Sequence, residues 1–308
     1  MIESASAGLT GRRIQGAGGK MSLSDGADLS ALEQTYADSR PIDLDIAKEM
    51  LREAKQIMDQ LKVVFFLRQG TCLGAVRDNE LIPWDDDVDL GSVIGLNGLS
   101  ERSIDRVVAA FRDNGYFAKV ESNDHYINAA MIKSSMRLDW ACYRIIDDNI
   151  FHYPGIRLPI RLFTELKEID FIGEKFLVPN PPEEYLRIKY GPSWMTPKKQ
   201  RWEEDVVDPI PEPSLPGRAG NCRLRVLDNA DNPVAGADVV VARLSRSKTD
   251  KQGYARFYLP CDDWYAVTIR YGNHKELLYE EKMAPGVTYV YRPDPLSDSG
   301  RHSVLSRR

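Results

Sequence analysis

One short run, Asp87-Val88-Asp89-Leu90, most constrains what this chain can fold into. It alternates acid with hydrocarbon, the period of a β-strand, so Asp87 and Asp89 share one face while Val88 and Leu90 meet a core. The run ends a crowded stretch, Gly70 to Gly91, with the sequence GTCLGAVRDNELIPWDDDVDLG. Asp78, Asp85, Asp86, Asp87 and Asp89 all fall inside it. Carboxylates this close repel, and burying them without a partner costs on the order of several kcal/mol. A cation is therefore expected. Paired carboxylates on one face suit a hard divalent ion, Mg²⁺ or Mn²⁺, which binds through a few carboxylates plus substrate phosphates.

The residues upstream agree with a phosphate site. Val63-Val64-Phe65-Phe66-Leu67 reads as a buried strand, and Leu73–Arg77 as a short helix following Gly70-Thr71. Small residues at a helix start let backbone N–H groups approach a phosphate, which nominates Gly70 and Thr71. Arg77 adds a cation with bidentate geometry. The plainer alternative is a solvated acidic loop, against which the joint order of strand, Gly-Thr, helix, Pro-Trp and Asp-x-Asp weighs heavily.

These residues resemble the signature of the LicD/fukutin family: Gly70, Thr71, Leu73, Gly74 and Arg77, then Ile82, Pro83, Trp84, Asp85, Asp87 and Asp89. The resemblance continues to Pro197, through Tyr190-Gly191-Pro192-Ser193-Trp194. It implies a nucleotidyltransferase-type fold with a third acid after the Asp-x-Asp strand. Asp139, an acid in the apolar run Met136–Ala141, is the candidate. Its plain alternative is an edge-strand acid paired with Arg137. The resemblance further implies Asp87, Asp89 and Asp139 as metal ligands and catalytic groups, with Asp139 also taking the acceptor's proton. Asp85 would assist, and Gly70, Thr71 and Arg77 would bind the donor. Trp84 is expected to pack, and Asp86 to be a solvated neighbour.

Composition narrows the remaining classes. A net charge of −5 argues against a general nucleic-acid binder. No apolar run reaches the roughly 18 residues of a membrane span, and the N-terminal residues show no apolar signal-peptide core. Cys72, Cys142, Cys222 and Cys261 form no CxxC pair, so a structural zinc site is not expected from spacing. Reduced thiols in a cytoplasmic protein, peripheral to a membrane at most, are the default; a Cys222–Cys261 disulfide is the minority alternative.

The rest of the chain divides by pattern. Ile42–Leu61 has the apolar spacing of an amphipathic helix, with Asp43 or Asp45 at its start. A second helix spans Leu99–Asn114, and three strands cover Tyr116–Glu121, Tyr126–Ile132 and Arg137–Arg144. A hairpin turns at Gly173, and Pro181-Pro182 opens a helix ending at Gly191, on which Arg187 and Lys189 read as solvated charges. After a Pro-rich stretch come six short strands punctuated by turns, the pattern of a β-sandwich. Val226-Leu227-Asp228, Asn232–Ala237 and Thr249–Gly253 resemble carboxypeptidase regulatory-like domains.

The expected class is α+β: a nucleotidyltransferase-like mixed-sheet domain, then a small all-β sandwich. The expected boundaries are a disordered segment 1–39, a catalytic domain 40–205, a linker 206–218, a sandwich 219–294 and a disordered tail 295–308. By the resemblance, the protein moves a phosphocholine-type or phospho-alditol group from a CDP-linked donor to a glycan hydroxyl and releases CMP. A strict nucleotidyltransferase releasing pyrophosphate, a glycan-binding protein with a decayed site, and a scaffold acting through its sandwich are the alternatives. Oligomeric state is left open.

Overall fold

The computed structural model describes residues 23–38, 40–152, 156–199, 220–242, 244–294, 301–302 and 304–308. The fold is α+β, with several sheets and few helices. The Pro-rich stretch 206–218 lies outside the described residues.

A five-stranded sheet organises the first part. Its strands are β1 (Phe66–Leu67), β2 (Asp87–Val93), β3 (Phe117–Ser122), β4 (Tyr126–Lys133) and β5 (Met136–Tyr143), in the order β1-β2-β5-β4-β3. β2 and β5 run parallel, with Asp87 opposite Arg137 and Asp89 opposite Asp139. The other pairs are antiparallel. Alternation sorts the sheet into two faces. One carries Val88, Leu90, Leu138, Trp140, Ile127, Ala129 and Met131, all buried in one apolar core. Helices α2 (Leu44–Gln60) and α4 (Glu101–Asp113) bring Met50, Leu51, Ala54, Met58, Ile104, Val107, Val108 and Phe111 to that core. Asp43 caps α2, its carboxylate accepting from the N–H groups of Asp45 and Ile46 at 3.0 and 3.1 Å.

The opposite face carries the acids, and a helix lies across it. Residues Leu23–Asp38, expected to be disordered, form α1. Leu32 is fully buried there against Ala130 and Ile132 of β4, joined by Tyr36 and Phe117. α3 (Gln69–Arg77) follows β1 directly and is longer than the sequence pattern suggests, while β1 itself shrinks to two residues. Two hairpins, β6 (Asn149–His152) with β7 (Ile156–Pro159) and β8 (Lys167–Phe171) with β9 (Glu174–Val178), surround the short α5 (Arg161–Thr164) and lead to α6 (Pro182–Tyr190). Lys189 in α6 is fully buried beside the Tyr190 ring and is not the solvated charge expected.

The second part is all β. One sheet orders β13-β10-β16-β18, from Tyr254–Leu259, Gly220–Val226, Thr288–Tyr291 and Ser306–Arg307. The other orders β12-β11-β14-β15-β17, from Ser245–Lys248, Asp238–Val241, Asp263–Tyr271, His274–Met283 and Arg301–His302. Both supply side chains to one core, including Leu224, Val226 and Phe257 from the first and Val239, Val267 and Ile269 from the second. Two strands form within the tail that the sequence reading leaves disordered. All four cysteines are free.

Candidate active site

The acids sit where β2, β5, α1 and α3 converge. Asp87, Asp89 and Asp139 are buried on one face of adjoining strands, as the period-two pattern requires. β5 lies between β2 and β4, so Asp139 is on an interior strand and not at an edge. Two guanidinium groups hold these carboxylates. Arg68 reaches Asp89 at 2.7 Å, and Arg137 reaches Asp87 at 2.6 Å, Asp139 at 3.2 Å and Asp86 at 3.1 Å. Both arginines are buried, and the surrounding acids push their pKa values upward. Asp86 is thus tied to Arg137, not merely solvated.

Two further groups complete the inner layer. Tyr36 donates its hydroxyl to Asp139 at 2.9 Å, and its ring lies 4.0 Å from the Arg137 guanidinium carbon. Burial, with Asp139 as the next cause, holds its phenol well above the ordinary range. Gln69 approaches Asp89 at 3.4 Å. Sequence reasoning missed Arg68, Tyr36 and Gln69. The signal for Arg68 was a cation ending an apolar strand.

The carboxylates that gather to metal-binding distance are Asp85, Asp86 and Asp87, whose oxygens lie within 4.8 Å of one another. An all-oxygen donor set of this kind fits a hard divalent ion. Among the described residues Arg137 is shared by Asp86, Asp87 and Asp139, and Arg68 pairs with Asp89. Burial raises the pKa of Asp85, with Asp87 and Asp86 adding to it. Burial likewise raises Asp89 well above its usual range against the pull of Arg68, and raises Asp139 against the pull of Arg137. A cation bound here would relieve both causes.

The expected donor-binding residues are placed less uniformly. Thr71 is buried, and its hydroxyl accepts the Asp89 N–H at 2.9 Å, so it fixes β2. Gly70 opens the space in which Asp85 sits, because a Cβ there would lie 2.0 Å from Asp85 Oδ2. Arg77 turns to Asp78 at 2.6 Å instead of the acid cluster. Trp84 packs as expected, donating Nε1–H to the Lys198 carbonyl at 3.1 Å.

The site is thus an acid-lined strand pair behind a Gly-Thr helix start, with Asp85, Asp86 and Asp87 close enough together to hold a metal ion. Residues 62–181 match the model of the LicD/FKTN/FKRP nucleotidyltransferase domain. Human ribitol-5-phosphate transferase FKTN is 29% identical over 199 residues, 60% of this chain and 41% of that protein. Mouse ribitol 5-phosphate transferase FKRP is 26% identical over 160 residues, 49% of this chain and 32% of that protein. An uncharacterized protein of Rickettsia typhi is 25% identical over 145 residues, 47% of this chain and 41% of that protein. The matching part therefore spans well under half of the named relatives. Among the described residues no helix is long and apolar enough to cross a membrane.

Proposed function

We propose that this protein is a metal-dependent transferase that moves a phosphorylated group, of phosphocholine or phospho-alditol type, from a CDP-linked donor to a glycan hydroxyl, releasing CMP. The observation that carries the reading is the crowding of carboxylates at β2 and β5, inside the segment matching the LicD/FKTN/FKRP model. The FKTN and FKRP relatives are ribitol-phosphate transferases, which supports a phospho-alditol as the group moved.

Asp85, Asp86 and Asp87 would hold Mg²⁺ or Mn²⁺, which stabilises charge on phosphate oxygens when bound. Asp89 and Asp139 extend the anionic face, each steadied by a guanidinium. Asp139 accepts the proton of the attacking hydroxyl: its raised pKa brings it nearer the working pH, and Tyr36 and Arg137 fix its orientation. Gly70 keeps Asp85 beside the first turn of α3, where the positive helix end favours both the carboxylate and a donor phosphate.

The all-β part we read as a carboxypeptidase regulatory-like β-sandwich that helps engage the acceptor. Its Trp264 stacks on Tyr36 at 6.0 Å, next to the candidate base. The four free thiols support a reducing compartment such as the cytoplasm. Incubating the full chain and Mg²⁺ with a panel of CDP-linked donors should yield CMP. Pyrophosphate from CTP, with no CMP from any donor, would replace this reading with a nucleotidyltransferase.

A further inference from the structure

The contact between the two parts of the molecule contains a second set of ligating groups. His125, at the β3–β4 turn, meets Cys261 and Asp263 from the second part, with one ligand atom of each within 4.8 Å of the others. His125 is buried, and its Nε2 has no hydrogen-bond partner. Its Nδ1 faces Asp263 Oδ2 at 3.8 Å, too far for a hydrogen bond. Nδ1 is therefore the ring nitrogen turned to the Asp263 carboxylate, at a separation that an ion ligated by both could span.

The neighbours leave the other two groups available. Asp263 Oδ1 already accepts from the Tyr126 hydroxyl at 2.5 Å and the Trp264 N–H at 2.8 Å, whereas Oδ2 is the oxygen turned to His125. The Cys261 thiol has only a 3.8 Å contact with the Tyr265 hydroxyl, which itself donates to the Cys261 carbonyl at 2.8 Å. Imidazole, thiolate and carboxylate together are the ligand types of zinc, a borderline-soft ion.

We propose that His125, Cys261 and Asp263 bind Zn²⁺ and clamp the all-β part onto the acid-bearing sheet. Three protein donors leave the fourth tetrahedral position for water. Binding releases the Cys261 proton to solvent. Without metal, burial and the Asp263 charge push that thiol up to about 12, and coordination to the cation draws it down. This site is independent of Asp85 to Asp87, so its failure would leave the transferase reading untouched.

The test uses the full chain, reduced and stripped of metal, titrated with Co²⁺ and then Zn²⁺. A thiolate-to-cobalt charge-transfer band should grow to a stoichiometric end point and be displaced by Zn²⁺. Carboxylates give no such band, so the acid cluster is silent in this measurement. Cys261→Ser should abolish the band, and His125→Gln should weaken Zn²⁺ binding by at least about tenfold. No band in the unaltered chain, which requires no variant to fold, would overturn the assignment. So would a band that survives in Cys261→Ser.

Discussion

Buried acids occur in both parts of the molecule, but they are kept in different ways. In the all-β part, Glu281 accepts the N–H groups of Val304 and Leu305 at 2.7 and 2.9 Å, and Glu276 accepts the Tyr291 hydroxyl with His274 at 3.6 Å. Each carboxylate there has partners that do not depend on another acid. In the sheet of β2 and β5, Asp85, Asp86 and Asp87 crowd one another, and Arg137 is shared among three acids. Glu281 ties down the chain's last residues. The β2–β5 carboxylates instead crowd one another around shared guanidinium groups, the arrangement on which the proposed metal site rests.

The contrast can be broken most sharply at Asp139. Asp139→Asn keeps the shape but cannot take a proton, and CMP-releasing transfer should fall about 10²–10⁴-fold with donor affinity little changed. Activity within threefold of the unaltered chain, roughly the scatter of such kinetics, would make it a structural acid paired with Arg137. Next in size, Arg137→Met removes the shared cation and should destabilise the metal-free chain by about 3–5 kcal/mol in urea unfolding. In the all-β part, Glu281→Ala leaves two backbone N–H groups short of a partner and should cost about 1–3 kcal/mol by the same measurement. Equal losses from Asp85→Asn and Glu281→Ala would erase the distinction, because Asp85→Asn should instead stabilise the metal-free chain slightly by removing a repelled charge.

The smallest effect is on pH dependence. Asp85, Asp89 and Asp139 hold their protons to higher pH when folded than when unfolded. The folded state thus binds more protons, and metal-free stability should fall as pH rises from the ordinary carboxylate range through the raised values. Saturating Mg²⁺ should flatten that fall in a thermal melt series. A stability that rises with pH over this window would contradict the raised values.

Much of this arrangement was legible locally. The spacing in 42–61 and the carboxylate of Asp43 give α2 and its cap, and the succession of short, turn-punctuated strands gives the all-β part. The alternation in β2 places Asp87 and Asp89 on one face. What local pattern could not supply was pairing across the sheet. Arg68 meets Asp89, and Arg137 meets Asp87, only because β1, β2 and β5 are brought into register. α1 escaped notice because its apolar residues form no sustained amphipathic stripe; Leu32 and Tyr36 dock it through tertiary contacts. β12 reads Ser-Arg-Ser-Lys, an edge strand with no apolar alternation to betray it.

Gly70 gives the acid cluster a steric vulnerability separate from its charge. The Asp85 carboxylate occupies the volume that any larger residue at position 70 would claim. One added methyl group would therefore evict a carboxylate while leaving every ionisable group in the chain intact. A lesion of this type would be invisible to any inventory of charged residues, and inherited variation at such a glycine would look conservative on paper while dismantling the site.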